Sequence, residues 1–124
     1  MSDRKRLPNR RGSQIMEFGT LARPGVNSLS YTATVGFFGD GRLAEVFLRA
    51  SKTGTDLNIQ SMETAIAVSM ALQYGAPMEV LRAAMPRDDL QRPEGPIGML
   101  LDILKHIEDE MKPVAAIEAS IAAE

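Results

Sequence analysis

The chain contains no cysteine and no tryptophan, and only one histidine among its 124 residues. Without a thiol it forms no disulfide, builds no thiolate metal site and offers no cysteine nucleophile or redox couple. With a single histidine, a multi-histidine metal site is also out of reach. No apolar run approaches the roughly 20 residues that a membrane span needs, so no membrane partner is expected. The opening stretch, "MSDRKRLPNRRGS", lacks the apolar core of a secretory signal, which makes a cytoplasmic location the expectation. What is present is ordinary for one soluble domain with a modest core: 44% hydrophobic and 24% charged residues, with seven prolines and ten glycines as punctuation.

The net charge of −2 conceals an uneven distribution. Five of the fourteen basic residues, Arg4, Lys5, Arg6, Arg10 and Arg11, lie in the first eleven positions, leaving an acidic body behind a basic arm. Such an arm contacts a polyanion, contacts its own body or is simply solvated. Nucleic acid is thus a candidate partner, although no aromatic residue lies among the arginines to stack on a base.

The first regular element is expected as a short strand at Gln14 to Phe18, ended by "GTLARPGVNS". A hairpin follows in "YTATVGFFGDGRLAEVFLRA". If Asp40 and Gly41 are the two central residues of a type I′ turn, Phe37 faces Ala44, Val35 faces Val46 and Ala33 faces Leu48, giving one apolar face. The other face pairs Thr34 with Phe47 and Thr32 with Arg49. A phosphate-gripping glycine loop leads from a strand into a helix, whereas a second strand follows here. The Gly-Asp-Gly is therefore read as a turn, and Gly36, Gly39 and Gly41 as sites of twist and backbone freedom.

A helix is expected after "SKTGTD", capped by Asp56 or Asn58, burying Ile59, Met62, Ile66 and Met70 and ending near Gly75. Pro77 suits the first turn of a second, short helix whose buried face is Val80, Leu81, Ala84 and Met85. A third helix fits residues 97 to 111 on the stripe Ile97, Leu100, Leu101, Leu104, Ile107 and Met111, with Pro113 interrupting before the alanine-rich end. Strands first and helices afterwards predict an α+β fold, an N-terminal antiparallel hairpin or three-stranded sheet packed on C-terminal helices. The expected organisation is a flexible basic arm over 1–12, a domain over 13–112 and a helical tail over 113–124. Asp102, His106 and Glu110 recur at four-residue intervals, but one histidine with two carboxylates reads as a solvated face. Asp88 with Asp89 and the run Glu108 to Glu110 likewise read as surface, with no nucleophile beside them. No catalytic, cofactor-binding or metal-ligating residue is assigned. Met62, Met70, Met78, Met85, Met99 and Met111 are read as fillers of core gaps, with a methionine-rich groove for a partner beside the tail as the alternative.

Four stretches, "RLPNRRGSQIMEF", "YTATVGFFGDGRLAEVFLRASKTGTDL", "AIAVSMALQYGAPMEVLRAAM" and "EGPIGMLLDILKHI", carry a resemblance in their order and spacing. The chain resembles the TSCPD domain near the C-terminal end of adenosylcobalamin-dependent ribonucleotide reductases. That resemblance implies a link to deoxyribonucleotide synthesis and DNA replication, with a ribonucleotide reductase as partner and adenosylcobalamin involved only through the full-length enzymes. The cysteine motif that names the domain is absent, so no catalytic residue of the family carries over. Three readings follow: a non-catalytic accessory or regulatory protein of a reductase, a nucleic-acid or nucleotide-binding module using the arm, and a split fragment completing a ribonucleoside-diphosphate reductase. The tail also offers a surface to another chain, which includes homo-oligomer formation.

Overall fold

Alternation of threonine with small or apolar residues makes Ser30–Phe37 a strand with one dry face, and a computed structural model shows it at the centre of a three-stranded antiparallel sheet. Residues 3–7, 12–20, 29–51 and 55–123 are described, with side chains as far as residue 110. Strand β1 is Ser13–Gly19, β2 is Ser30–Phe37 and β3 is Leu43–Ala50, in the order β1-β2-β3. Helices α1 (Asp56–Gln73), α2 (Met78–Ala84) and α3 (Pro96–Ala123) follow, which gives the expected α+β fold. Tyr31, Ala33, Val35, Val46, Leu48 and Ala50 on one face of the sheet join Ile97, Leu100, Leu101 and Leu104 of α3 in the core.

The hairpin keeps its expected register over most of its length but not at the tip. Val35 faces Val46, Ala33 faces Leu48, Thr34 faces Phe47 and Thr32 faces Arg49, whereas Phe37 faces Leu43 instead of Ala44. A two-residue type I′ turn needs positive φ at Asp40, and among described residues only Gln91, Gly41 and Gly75 have it. The Phe38 N–H donates to Arg42 O at 2.8 Å and the Gly41 N–H to Phe38 O at 2.9 Å, closing a three-residue loop with Gly41 in the left-handed region. Ala44 is then an extra residue on β3, and this bulge restores the register that the longer loop would have shifted. Gly36 also has a different reason from backbone freedom: a Cβ there would lie 2.6 Å from Glu45 Oε1, because Glu45 lies flat over it.

Helix α1 corrects two expectations. Its cap is Thr55, whose side chain accepts from the Asn58 N–H, instead of Asp56 or Asn58. Its buried residues are Asn58, Ser61, Ala65, Val68, Ser69, Leu72 and Gln73, while Ile59, Met62 and Ile66 are exposed. The reason lies in β3, an edge strand whose outward backbone groups need partners. Ser69 Oγ accepts from the Val46 N–H and donates to Val46 O, both at 2.9 Å. Asn58 Oδ1 accepts from the Ala50 N–H at 3.0 Å, and Gln73 Nε2 donates to Ala44 O at 3.2 Å. The helix thus turns its polar stripe to the strand edge and leaves part of its apolar stripe outside.

The helix ends in a Schellman motif: the Gly75 N–H donates to Leu72 O, the Ala76 N–H to Ala71 O, and Gly75 takes φ 109°. Pro77 stands at the N-cap of α2, with extended backbone and one residue before the first turn expected for it. Of the face expected there, Leu81 and Met85 pack on the core, but Val80 and Ala84 are exposed. In α3 the stripe Ile97, Leu100, Leu101 and Leu104 is buried as expected, Ile107 is 41% exposed, and the side chain of Met111 lies outside the described residues. Pro113 does not interrupt α3, which runs on to Ala123. Proline removes one N–H and crowds the preceding turn at a cost of about 3 kcal/mol in a helix interior, yet the helix continues past it.

Candidate binding groove

The hairpin tip, the α1–α2 junction and α3 together border an open groove of about 740 Å³. Its floor is apolar: Phe37, Phe38 and Leu43 from the hairpin, Leu72 from α1, Met78 from α2, Leu104 and Ile107 from α3. Asp40, Arg42, Glu79 and Glu108 supply charge around it. Such a surface, apolar within and charged at the border, suits a binding role, and among the described residues nothing in its lining is a nucleophile with an activating base.

The basic arm reaches this region. Arg4 Nε donates to Gln73 Oε1 at 2.6 Å, the Lys5 N–H donates to Gln73 O at 2.8 Å, and the Lys5 ammonium stands 4.8 Å from the centre of the Phe38 ring. The Arg42 guanidinium lies 5.0 Å from the same ring. Phe38 is almost wholly buried, so its π-face, drawn upon by two cations, is a fixed part of the wall. Among the described arm residues, Arg4 and Lys5 therefore contact the protein's own body. Arg6 is exposed, and Arg10 and Arg11 lie outside the described residues.

Asp40 and Gly41 lie in the hairpin turn, as part of a three-residue loop instead of the expected two-residue type I′ turn. Asp40 accepts from the Arg42 N–H at 3.1 Å and from Arg42 Nε at 2.7 Å. The Arg42 backbone bond first, and its guanidinium next, hold the Asp40 carboxyl below the usual carboxylate range. Sequence reasoning missed Gln73, which links arm, helix and strand through its main chain and both ends of its amide. A glutamine at a helix end carries no distinguishing pattern, and only its place against the β3 edge gives it this role.

The other polar candidates fall elsewhere. Asp102 binds Arg82 Nε at 2.8 Å and both terminal nitrogens of Arg87, at 3.0 and 2.6 Å, tying the α2 region to α3. His106 instead pairs with Glu110 at 3.0 Å on an exposed face, so the three residues do not converge. No cluster suited to a metal occurs among the described residues. Asp88 is a loop organiser, accepting from the Leu90 and Arg92 N–H groups and from Arg92 Nε. Hydrogen bonding to Arg87, above all, holds Asp102 below its ordinary range. A carboxyl with a depressed folded-state pKa contributes stability above its unfolded pKa and loses it as pH falls through the folded value. Asp102→Asn is expected to lower stability at pH 7 by about 1 to 2 kcal/mol. In denaturation curves at stepped pH, the two proteins should converge in acid as the native carboxylate protonates.

Comparison with known proteins gives a consistent direction. Over 77 residues, 62% of this chain, it is 36% identical to the vitamin B12-dependent ribonucleotide reductase of Agrobacterium fabrum. The similarity is to a reductase. The corresponding enzyme of Bradyrhizobium diazoefficiens is 34% identical over 79 residues, or 64% of this chain, and that of Rhodopirellula baltica 33% over 78 residues, or 63%. The matched stretch is only 6 to 7% of each reductase's length. No protein-family model and no solved structure matches the chain. Among the described residues no helix is long and apolar enough to cross a membrane.

Proposed function

We propose that this chain is a non-catalytic accessory or regulatory protein of a ribonucleotide reductase, resembling the TSCPD region of such enzymes and acting in deoxyribonucleotide synthesis. One observation carries the reading: a reductase-like segment occurs in a chain with no cysteine. Ribonucleotide reduction by thiol chemistry needs thiols, so the chemistry stays with a partner and this chain contributes binding. Adenosylcobalamin belongs to that partner as well.

The groove is the surface on which the reductase contact is placed. Its floor is large and apolar enough to take a segment of another protein, and Ile107 within it stands partly exposed. Affinity isolation of the tagged chain from its host, with nuclease treatment in parallel, tests the reading. A reductase retained after nuclease is expected, with about tenfold weaker association for Ile107→Glu. Loss of every partner on nuclease treatment would favour nucleic-acid binding by Arg4, Lys5, Arg6, Arg10 and Arg11 instead.

A further inference from the structure

The sheet face turned away from α3 carries its residues in three cross-strand rows: Ser13, Gly36 and Glu45; Ile15, Thr34 and Phe47; Glu17, Thr32 and Arg49. Ile15 is 72% and Phe47 46% exposed, an unusual state for large apolar side chains at the two ends of one row. Helix α1 widens this apolar strip. Its Leu57, Ser61 and Thr64 border the cleft towards Pro96 and Ile97 of α3, so the opposite flank, with the exposed Ile59, Met62 and Ile66, lies on the open side of the sheet next to β3. Met62 is tied there, its sulfur 3.8 Å from the Asn58 amide that serves the β3 edge.

We infer that this face binds a second copy of the chain about a two-fold axis parallel to β2. Such an axis keeps each row at its own height and exchanges the outer strands, so β1 of one copy lies over β3 of the other. Ile15 then packs on Phe47 of the partner copy, near the seam with α1, and Glu17 meets Arg49. Thr34 and Thr32 lie over their own counterparts at the axis. Both the apolar and the ionic contact are made twice. An axis across the strands would instead set Glu17 over Ser13 and leave it without a cation, so charge complementarity selects the first arrangement. Glu17 and Arg49 flank Thr32 on outer strands about 9.6 Å apart and form no ion pair with each other within one sheet. A face of three short strands is small for an interface, and a dissociation constant of about 1 to 100 µM is expected.

Sedimentation equilibrium of the full chain over a concentration series reads this directly. The wild type should dimerise in that range and Phe47→Glu should be monomeric, with circular dichroism showing an intact fold. Glu17→Arg and Arg49→Glu should each weaken the dimer at least about tenfold when alone, through like charges facing across the axis. Mixed in equal amounts they should form a heterodimer, since both charge contacts are then restored. A monomeric wild type, undiminished self-association of either charge variant, or a mixture that stays monomeric would overturn the inference. None of these outcomes depends on the reductase.

Discussion

Ser69→Ala is expected to destabilise the fold by about 2 to 4 kcal/mol, because the hydroxyl serves both the N–H and the carbonyl of Val46 at a buried site. Each orphaned backbone group incurs a desolvation penalty at a strand edge covered by a helix. Thr64→Ala on the exposed side of the same helix removes a hydroxyl that only returns to Gln60 O, and should change stability by no more than about 0.5 kcal/mol. Denaturant midpoints at constant slope measure both. Equal effects at the two sites would mean that α1 does not complete the β3 edge.

Leu101→Ala should cost about 3 kcal/mol, the combined loss of transfer free energy and creation of a cavity at a side chain with no exposure. Ile66→Ala removes an equally large apolar group from a position 55% exposed and should cost less than about 1 kcal/mol, since alanine also favours the helix. The contrast tests how α1 is rotated. A core-sized loss at Ile66 would restore the apolar face that periodicity predicts and refute the polar-inward helix.

The elements were largely legible from local pattern. β1 was readable from its β-forming run, α2 from Pro77 and the third helix from its leucine stripe, because each depends on residues near in sequence. The register of the hairpin was readable for the same reason, while its tip was not: a longer loop and a bulge at Ala44 offset each other, leaving Val35 opposite Val46 either way. The rotation of α1 was hidden for a different reason. Periodicity ranks Ile59, Met62 and Ile66 above Asn58 and Ser69, and takes no account of unpaired backbone groups on a strand 23 residues away from Ser69. The groove was equally invisible, being assembled from the hairpin, a helix junction and α3. Of the basic arm, the sequence showed the charge; that Arg4 and Lys5 engage Gln73 and Phe38 emerged only in three dimensions.

The two proposed surfaces separate cleanly, with Ile107 in the groove and Ile15 and Phe47 on the open sheet face. A groove variant should weaken reductase association and leave self-association intact, and Phe47→Glu should do the reverse.

The most direct measurement is a titration of the purified chain into its host's purified ribonucleotide reductase, following binding by calorimetry and turnover in the same samples. Saturable binding with a changed rate or effector response, weakened by Ile107→Glu, is the result predicted. No heat of binding and unaltered turnover, with the chain in excess over the enzyme, would contradict the accessory role.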